Sequence, residues 1–119
     1  MGRSEGEVKR EILKMLLSVL LALQILHDNS LVHSDVTPDN ILVSKGSYYL
    51  VDLGLCLREG EKSEYRHFGK SSSFHQLKYV APEQHSHNVA CKASDLYALG
   101  KIVLEIVSNC STIMSSLST

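Results

Sequence analysis

The first hydrophobic pattern in the chain is a nearly unbroken apolar run. In residues 12–26 apolar side chains cover almost every face of a helix, which predicts one helix over residues 8–27. Such a helix is normally buried in a core or spans a membrane. The run is shorter than the roughly 20 residues of a membrane span, and it contains Lys14 and Gln24, so a buried core helix is favoured. Acidic residues ahead of the run argue against a signal peptide.

A second pattern consists of two short apolar segments on either side of a turn. Residues 27–30 are polar and predict the end of the helix. Residues 41–43 and 48–51 predict two strands, and Gly46 lies in the turn between them. A hairpin of this kind brings the residue before its first strand close to the residue after its second strand.

The second half of the chain begins with a stretch that has no sustained hydrophobic period. Residues 55–78 are rich in Gly, Ser and charge, and a loop of this length is usually functional or disordered. The helical period returns and predicts a second buried helix over about 95–108. The polar ends, 1–7 and 109–119, are predicted to be disordered. The pattern predicts an α+β fold, mainly helical, in one domain over residues 8–108.

Composition excludes several classes of protein. With 119 residues, 44% of them hydrophobic, 21% charged and a net charge of −1, the chain gives no support for a nucleic-acid partner or a membrane partner. The three cysteines form no CxxC pair, so neither a disulfide framework nor a zinc site is indicated. A reducing, intracellular setting, the cytoplasm, is the simplest interpretation.

Three polar residues stand among the apolar segments around the hairpin. Asp35 and Asn40 are five positions apart, which suits one tight loop, and Asp52 follows the second strand. Taken singly, each is best explained as a turn or cap residue. Together they supply a base and two oxygen ligands for a metal ion, which is the set that phosphoryl transfer to a hydroxyl requires.

Four segments, in this order, resemble the C-terminal lobe of a eukaryotic-type protein kinase. Residues 33–40, HSDVTPDN, resemble the catalytic loop His-Arg-Asp-Leu-Lys-Pro-x-Asn, and residues 52–54, DLG, resemble the magnesium-binding Asp-Phe-Gly. Residues 81–83, APE, match the Ala-Pro-Glu that closes the activation segment. Residues 94–100, SDLYALG, are similar to the start of the helix that anchors the catalytic loop. The resemblance implies a partial kinase domain but does not identify a subfamily.

The resemblance also assigns roles to residues. It implies that Asp35 accepts or orients the proton of the substrate hydroxyl, and that Asn40 and Asp52 hold Mg²⁺ through oxygen atoms. Asp95 would tie the backbone of the catalytic loop to the buried helix. ATP would donate the phosphoryl group and a protein substrate would accept it. The segment before Ala81 favours Ser/Thr over Tyr as the acceptor.

The sequence departs from the family pattern at three positions. Ser34 replaces the arginine that receives a phosphorylated activation loop, so phosphate on that loop loses an internal partner. Thr37 replaces the lysine that faces the transferred phosphate, and Gln76 stands where a threonine is usual. Loss of the lysine removes one positive charge from the transition state, which predicts slow turnover.

The Gly-rich loop and the lysine-bearing strand of a nucleotide-covering lobe do not occur in this sequence. Two hypotheses follow. Either the chain is the catalytic-loop half of an active kinase, a fragment or truncated product, or it is a non-catalytic, pseudokinase-like interaction or regulatory module. In both cases the apolar helix would lack covering segments, so the isolated chain is predicted to be marginally stable or prone to aggregate.

Overall fold

The computed structural model combines two long helices with two small antiparallel sheets. It describes residues 4–61, 78–82 and 89–118, with residues 110–118 described by their backbone alone. In chain order the helices and strands are α1 (Glu5–Asp28), β1 (Leu31–Val32), β2 (Ile41–Ser44), β3 (Ser47–Leu50), β4 (Leu57–Arg58) and α2 (Lys92–Ser118).

Helix α1 begins earlier than its hydrophobic pattern predicts. The side chain of Ser4 accepts a hydrogen bond from the backbone N–H of Glu7 at 3.2 Å and caps the helix. Glu5 and Glu7 lie in the first turn, where negative charge is favourable for the helix dipole. The helix thus includes residues 5–7, which lie within the stretch that the sequence assigns to a polar end. At its other end the helix stops at Asp28, as predicted.

Helix α1 is a core helix on one side, and its other side is exposed, as expected for a helix that lacks covering segments. Val19 and Leu23 are 0% and 1% exposed, whereas Leu17 and Leu21 are 59% and 52% exposed. The buried side packs against β3 and α2, and the described residues cover only that side. The large exposed apolar side chains of the helix, named here the leucine face, are Leu13, Leu17, Leu20, Leu21 and Ile25.

The predicted hairpin is confirmed. Strands β2 and β3 pair antiparallel, from Ile41 opposite Leu50 to Ser44 opposite Ser47. Two residues connect them, Lys45 with φ 51° and Gly46 with φ 79°. Two consecutive positive φ angles are typical of a type I′ turn, whose twist matches that of the paired strands. The local turn chemistry therefore fixes the register of the hairpin.

The second sheet was not predicted. Strand β1 pairs with β4, with Leu31 opposite Arg58 and Val32 opposite Leu57. Strands of two residues are too short to show an alternating pattern, and β4 lies in the stretch that reads as irregular. The rest of that stretch, residues 62–77, lies outside the described residues, so the long activation-segment loop stays a prediction there.

Helix α2 extends past its predicted end near residue 108 and continues to Ser118. Residues 101–118 contain neither Gly nor Pro, so nothing in that stretch stops the helix. The described backbone is helical up to Ser118, and the disorder of residues 109–119 stays a prediction. The α+β, mainly helical class is confirmed. The core consists of Met15, Val19, Leu23, Val36, Tyr79, Ala98, Leu99 and Ile102.

Candidate active site

A buried carboxylate at the start of α2 holds the loop that follows β1. Asp95 is 1% exposed. Its Oδ2 accepts a hydrogen bond from the backbone N–H of His33 at 2.8 Å, and its Oδ1 accepts one from Ser34 at 2.9 Å. The anchoring role of Asp95 is confirmed. These bonds hold Ser34 at φ 74°, a left-handed conformation that costs a non-glycine residue energy and persists only where the surroundings enforce it.

The imidazole of His33 connects this loop to the turn after the hairpin. His33 is 0% exposed. Its Nδ1 lies 3.2 Å from the backbone N–H of Asp35, and its Nε2 lies 2.9 Å from the carbonyl oxygen of Val51. Because a backbone N–H can only donate, Nδ1 must accept and Nε2 must carry the proton that is donated to Val51. One neutral tautomer therefore satisfies both contacts.

The side chain of Asn40 positions Asp35. Its Nδ2 donates to the carbonyl oxygen of Asp35 at 2.8 Å and to the Asp35 carboxylate Oδ2 at 3.0 Å. Asn40 ends a short 3₁₀ turn that begins at Pro38, whose fixed φ favours that start. Asn40 is 8% exposed, so water competes little for these bonds. The amide fixes the direction of the carboxylate through its Nδ2, and its Oδ1 takes no part in these two bonds.

The hairpin brings the backbone of Asn40 to the residue before Asp52. The N–H of Val51 donates to the carbonyl oxygen of Asn40 at 2.8 Å. Asp52 has φ 65°, is exposed, and its Oδ1 accepts from the N–H of Gly54 at 3.2 Å. A Cβ on residue 54 would lie 3.1 Å from that same oxygen, so glycine gives the carboxylate room. The predicted proximity of the two ends of the hairpin is confirmed at the level of the backbone.

These oxygen donors fit a magnesium ion. An amide oxygen from Asn40 and a carboxylate from Asp52 are hard ligands, and Mg²⁺ usually takes one or two such groups and completes its shell with water and phosphate oxygens. In the part of the chain that the structure describes, no group of three or more His, Cys, Asp or Glu could hold a metal by itself.

The two family departures in the loop have different surroundings. The Ser34 hydroxyl donates to the carbonyl oxygen of Val32 at 3.3 Å. Thr37 is 2% exposed, and its Oγ1 has no hydrogen-bond partner among the described residues. Both side chains line a small hollow of about 10 Å³ together with Asp35 and Tyr79. A neutral hydroxyl thus takes the place of an ammonium group beside the candidate base.

A second cluster ties residues 78–82 to α2. The Tyr79 hydroxyl lies 2.9 Å from both carboxylate oxygens of Glu105, and Lys78 Nζ lies 2.6 Å from Glu105 Oε2. Burial, followed by the hydrogen bond to Glu105, raises the pKa of Tyr79. The hydrogen bond to Glu105 also raises the pKa of Lys78. The aromatic ring belongs to the core, so this cluster fixes the segment against the helix.

Sequence reasoning assigned no role to two histidines of this site. His33 carries the bridge to Val51, and His27 Nε2 contacts Asp95 Oδ2 at 2.8 Å. The one sequence feature that could have indicated a buried role for His33 is its position directly after the apolar pair Leu31-Val32. Gln76 and Glu83, which belong to the segments compared with the family, lie outside the described residues.

The family model described as "Protein kinase domain" matches residues 3–118. The chain is 34% identical over 91 residues to the human "Putative 3-phosphoinositide-dependent protein kinase 2", covering 75% of this chain and 22% of that protein. It is 34% identical over 101 residues to the "Dual specificity protein kinase zak2" of Dictyostelium discoideum, covering 82% of this chain and 16% of the relative.

A bacterial protein is also similar to the chain. The "Probable serine/threonine-protein kinase PknB" of Lactococcus lactis is 30% identical over 98 residues, which is 82% of this chain and 15% of that protein. The chain thus spans less than a quarter of the length of these curated relatives. Neither described helix has an apolar stretch long enough to cross a membrane. The match of the family model over residues 3–118 shows that the chain belongs to the protein kinase family.

Proposed function

We propose that the protein transfers the γ-phosphoryl group of ATP to Ser/Thr hydroxyls of protein substrates, with Asp35 as the base. The observation that carries this proposal is the pair of hydrogen bonds from Asn40 Nδ2 to Asp35. A carboxylate held in one direction can orient a hydroxyl for in-line attack, and positioning supplies much of the catalysis of phosphoryl transfer.

The residues of this chain have separate tasks in that reaction. Asp35 accepts the hydrogen bond of the substrate hydroxyl and takes its proton as the bond to phosphorus forms. Asn40 and Asp52 would hold Mg²⁺, which when bound neutralises charge on the phosphates. Asp95 keeps the loop backbone in place through the N–H groups of His33 and Ser34, so the geometry exists before substrate arrives.

The names of the relatives bear on the class of hydroxyl that accepts the phosphoryl group, and Thr37 bears on the turnover rate. One relative is named a serine/threonine kinase and another a dual specificity kinase. These names support Ser/Thr acceptors for this chain. Thr37 supplies no positive charge where the family has lysine, so we expect turnover that is slow but measurable.

A nucleotide titration followed by a phosphate-transfer assay tests the proposal. We expect Mg-ATP to raise the Tm of the wild-type chain, and Asp52→Ala to abolish the shift because one magnesium ligand is lost. Transfer of labelled phosphate to a serine-containing protein should then be lost in Asp35→Asn, which keeps the shape of the side chain but cannot accept the proton. Transfer that persists unchanged in Asp35→Asn would rule out the assigned base.

The second candidate is a non-catalytic interaction or regulatory module of the same family. The replaced residues Ser34 and Thr37 and the exposed leucine face favour it. The same titration separates the two functions. A Tm that does not respond to Mg-ATP, in a chain that is folded by circular dichroism, supports the module; a shift seen only in the wild type counts against it.

A further inference from the structure

The leucine face of α1 has a charge of opposite sign at each end. Arg10 precedes its first leucine and Asp28 follows its last apolar residue, and both are exposed. The 18 positions from one to the other correspond to about five turns, so the two side chains lie on one line along the helix, roughly 27 Å apart. Leu17 and Leu21 are exposed between them on the same side. The face therefore has a basic end and an acidic end.

The other charged side chains between these two ends are engaged within the chain. Lys14 contacts Glu11 at 3.4 Å, and His27 contacts Asp95 at 2.8 Å. The stretch of α1 from residue 15 to residue 26 contains no charged residue. The difference in charge between the two ends of the leucine face is therefore set by Arg10 and Asp28.

A second copy of α1 complements this pattern when the two helices run antiparallel. With the two-fold axis at the middle of the face, Arg10 faces Asp28 of the second copy, and symmetry repeats this pair at the other end. The same register places Leu17 level with Leu21 of the second copy and Leu13 level with Ile25, so apolar side chains meet along the face between the charges.

A parallel pair of the same helices lacks this complementarity. It would place Arg10 against its own copy and Asp28 against its own copy, and both contacts are repulsive. The antiparallel contact also uses the same surface on both copies, so it closes at two molecules and does not continue into a filament.

We propose that the leucine face is the interface of an antiparallel homodimer of this chain. Burial of the exposed leucines supplies the attraction, and the two charge pairs select the register. One helix face is smaller than the roughly 800 Å² per partner of a standard stable interface, so we expect a weak dimer that dissociates on dilution. This interface makes no use of the phosphoryl-transfer residues and is independent of the proposed function.

Sedimentation equilibrium of the full chain from about 1 µM to 1 mM measures the dimer. The wild type should pass from monomer to dimer and form no larger species. Arg10→Glu and Asp28→Arg change the net charge in opposite directions, yet each should weaken the dimer at least about fivefold, because each turns two attractions into two repulsions. Lys101→Glu, at an exposed position of α2, changes the net charge as Arg10→Glu does and should leave the dimer unchanged.

An exchange of the two charges tests the register. A chain with both Arg10→Glu and Asp28→Arg regains two attractive pairs and should dimerise as the wild type does. An equimolar mixture of the two single variants should form heterodimers for the same reason. In a parallel dimer neither single variant would weaken association, because its like charges already face each other.

A wild-type chain that stays monomeric over the whole concentration range would overturn the proposal and leave the leucine face to a different partner. Species larger than a dimer, or single variants that dimerise as well as the wild type, would overturn it too. Circular dichroism checks the fold of each variant. If Arg10→Glu unfolds, Asp28→Arg gives the same comparison, since a positive charge is favourable at the end of a helix.

Discussion

His27 and Asp95 lie 2.8 Å apart, Nε2 to Oδ2, although 68 positions separate them in the chain. This contact joins the last turn of α1 to the first turn of α2. The same carboxylate also holds the backbone of His33 and Ser34. The two helices and the candidate catalytic loop are thereby fixed to one buried group.

Replacing that group should cost stability. In Asp95→Asn one carboxylate oxygen becomes an NH₂ group, which cannot accept from a backbone N–H. We expect the free energy of unfolding to fall by about 1–3 kcal/mol, measured by urea denaturation. Asp28→Asn, at an exposed position, is the control and should change the midpoint little. Equal midpoints for the two variants would contradict the role of Asp95.

At Thr37, unlike at Asp95, removing the polar group should not lower stability. Its Oγ1 is buried without a partner among the described residues, so its hydroxyl contributes desolvation cost and no hydrogen bond there. Thr37→Val keeps the shape, and we expect stability to be unchanged or raised by up to about 1 kcal/mol. Thr37→Ser, which keeps the hydroxyl and loses a methyl group, should be less stable than Thr37→Val. A clear loss in Thr37→Val would reveal a partner for that oxygen.

The two sides of α1 should respond differently to truncation. Leu23 is 1% exposed, so Leu23→Ala should lower the free energy of unfolding by about 2–5 kcal/mol. Leu17 is 59% exposed, and Leu17→Ala should stay within about 0.5 kcal/mol. Thermal or urea denaturation measures both.

The leucine face also bears on solubility. Leu17→Glu should reduce self-association of the chain in size-exclusion chromatography, since it places a charge within an exposed apolar surface. A wild-type chain that already runs as a sharp monomer would contradict this expectation.

The raised pKa of Tyr79 predicts that the folded protein loses stability at alkaline pH. Its pKa is raised by burial and by its bond to Glu105, so the folded protein holds the phenolic proton more tightly than the unfolded chain does. This contribution is fully present below the ordinary tyrosine pKa of about 10 and is lost as pH rises through the higher folded pKa. A series of Tm measurements from about pH 9 upward should show a steeper fall for the wild type than for Tyr79→Phe, which has no proton to lose.

The sequence predicts those parts of the fold that depend on residues within a few positions of one another. The hairpin depends on the turn at Lys45 and Gly46 and on two flanking apolar segments, all within a few residues of one another. The polar residues Asp35 and Asn40 were found for the same reason, since five positions separate them. The hydrogen bonds between them join residues that are close in the sequence.

The parts that the sequence did not predict depend on distant partners. His27 gains its role from Asp95, and His33 gains its role from Val51, 18 positions away. The pattern of α1 shows which side chains avoid water but not which segment covers them. It therefore could not separate the buried Val19 from the exposed Leu17.

The type I′ turn between β2 and β3 also has a consequence for the order of folding. A two-residue turn closes a hairpin within microseconds, whereas the bond from His33 to Asp95 closes a loop of 62 positions at a higher cost in chain entropy. Backbone neighbours of both candidate metal ligands should therefore assemble early, and the anchoring of the His33 and Ser34 backbone to Asp95 should follow later. Gly46→Val, which strains the turn, should slow refolding in stopped-flow experiments more than Asp95→Asn does. The candidate site would then be completed only when a long-range contact between the two halves of the chain forms, so its activity would report that the chain has folded completely.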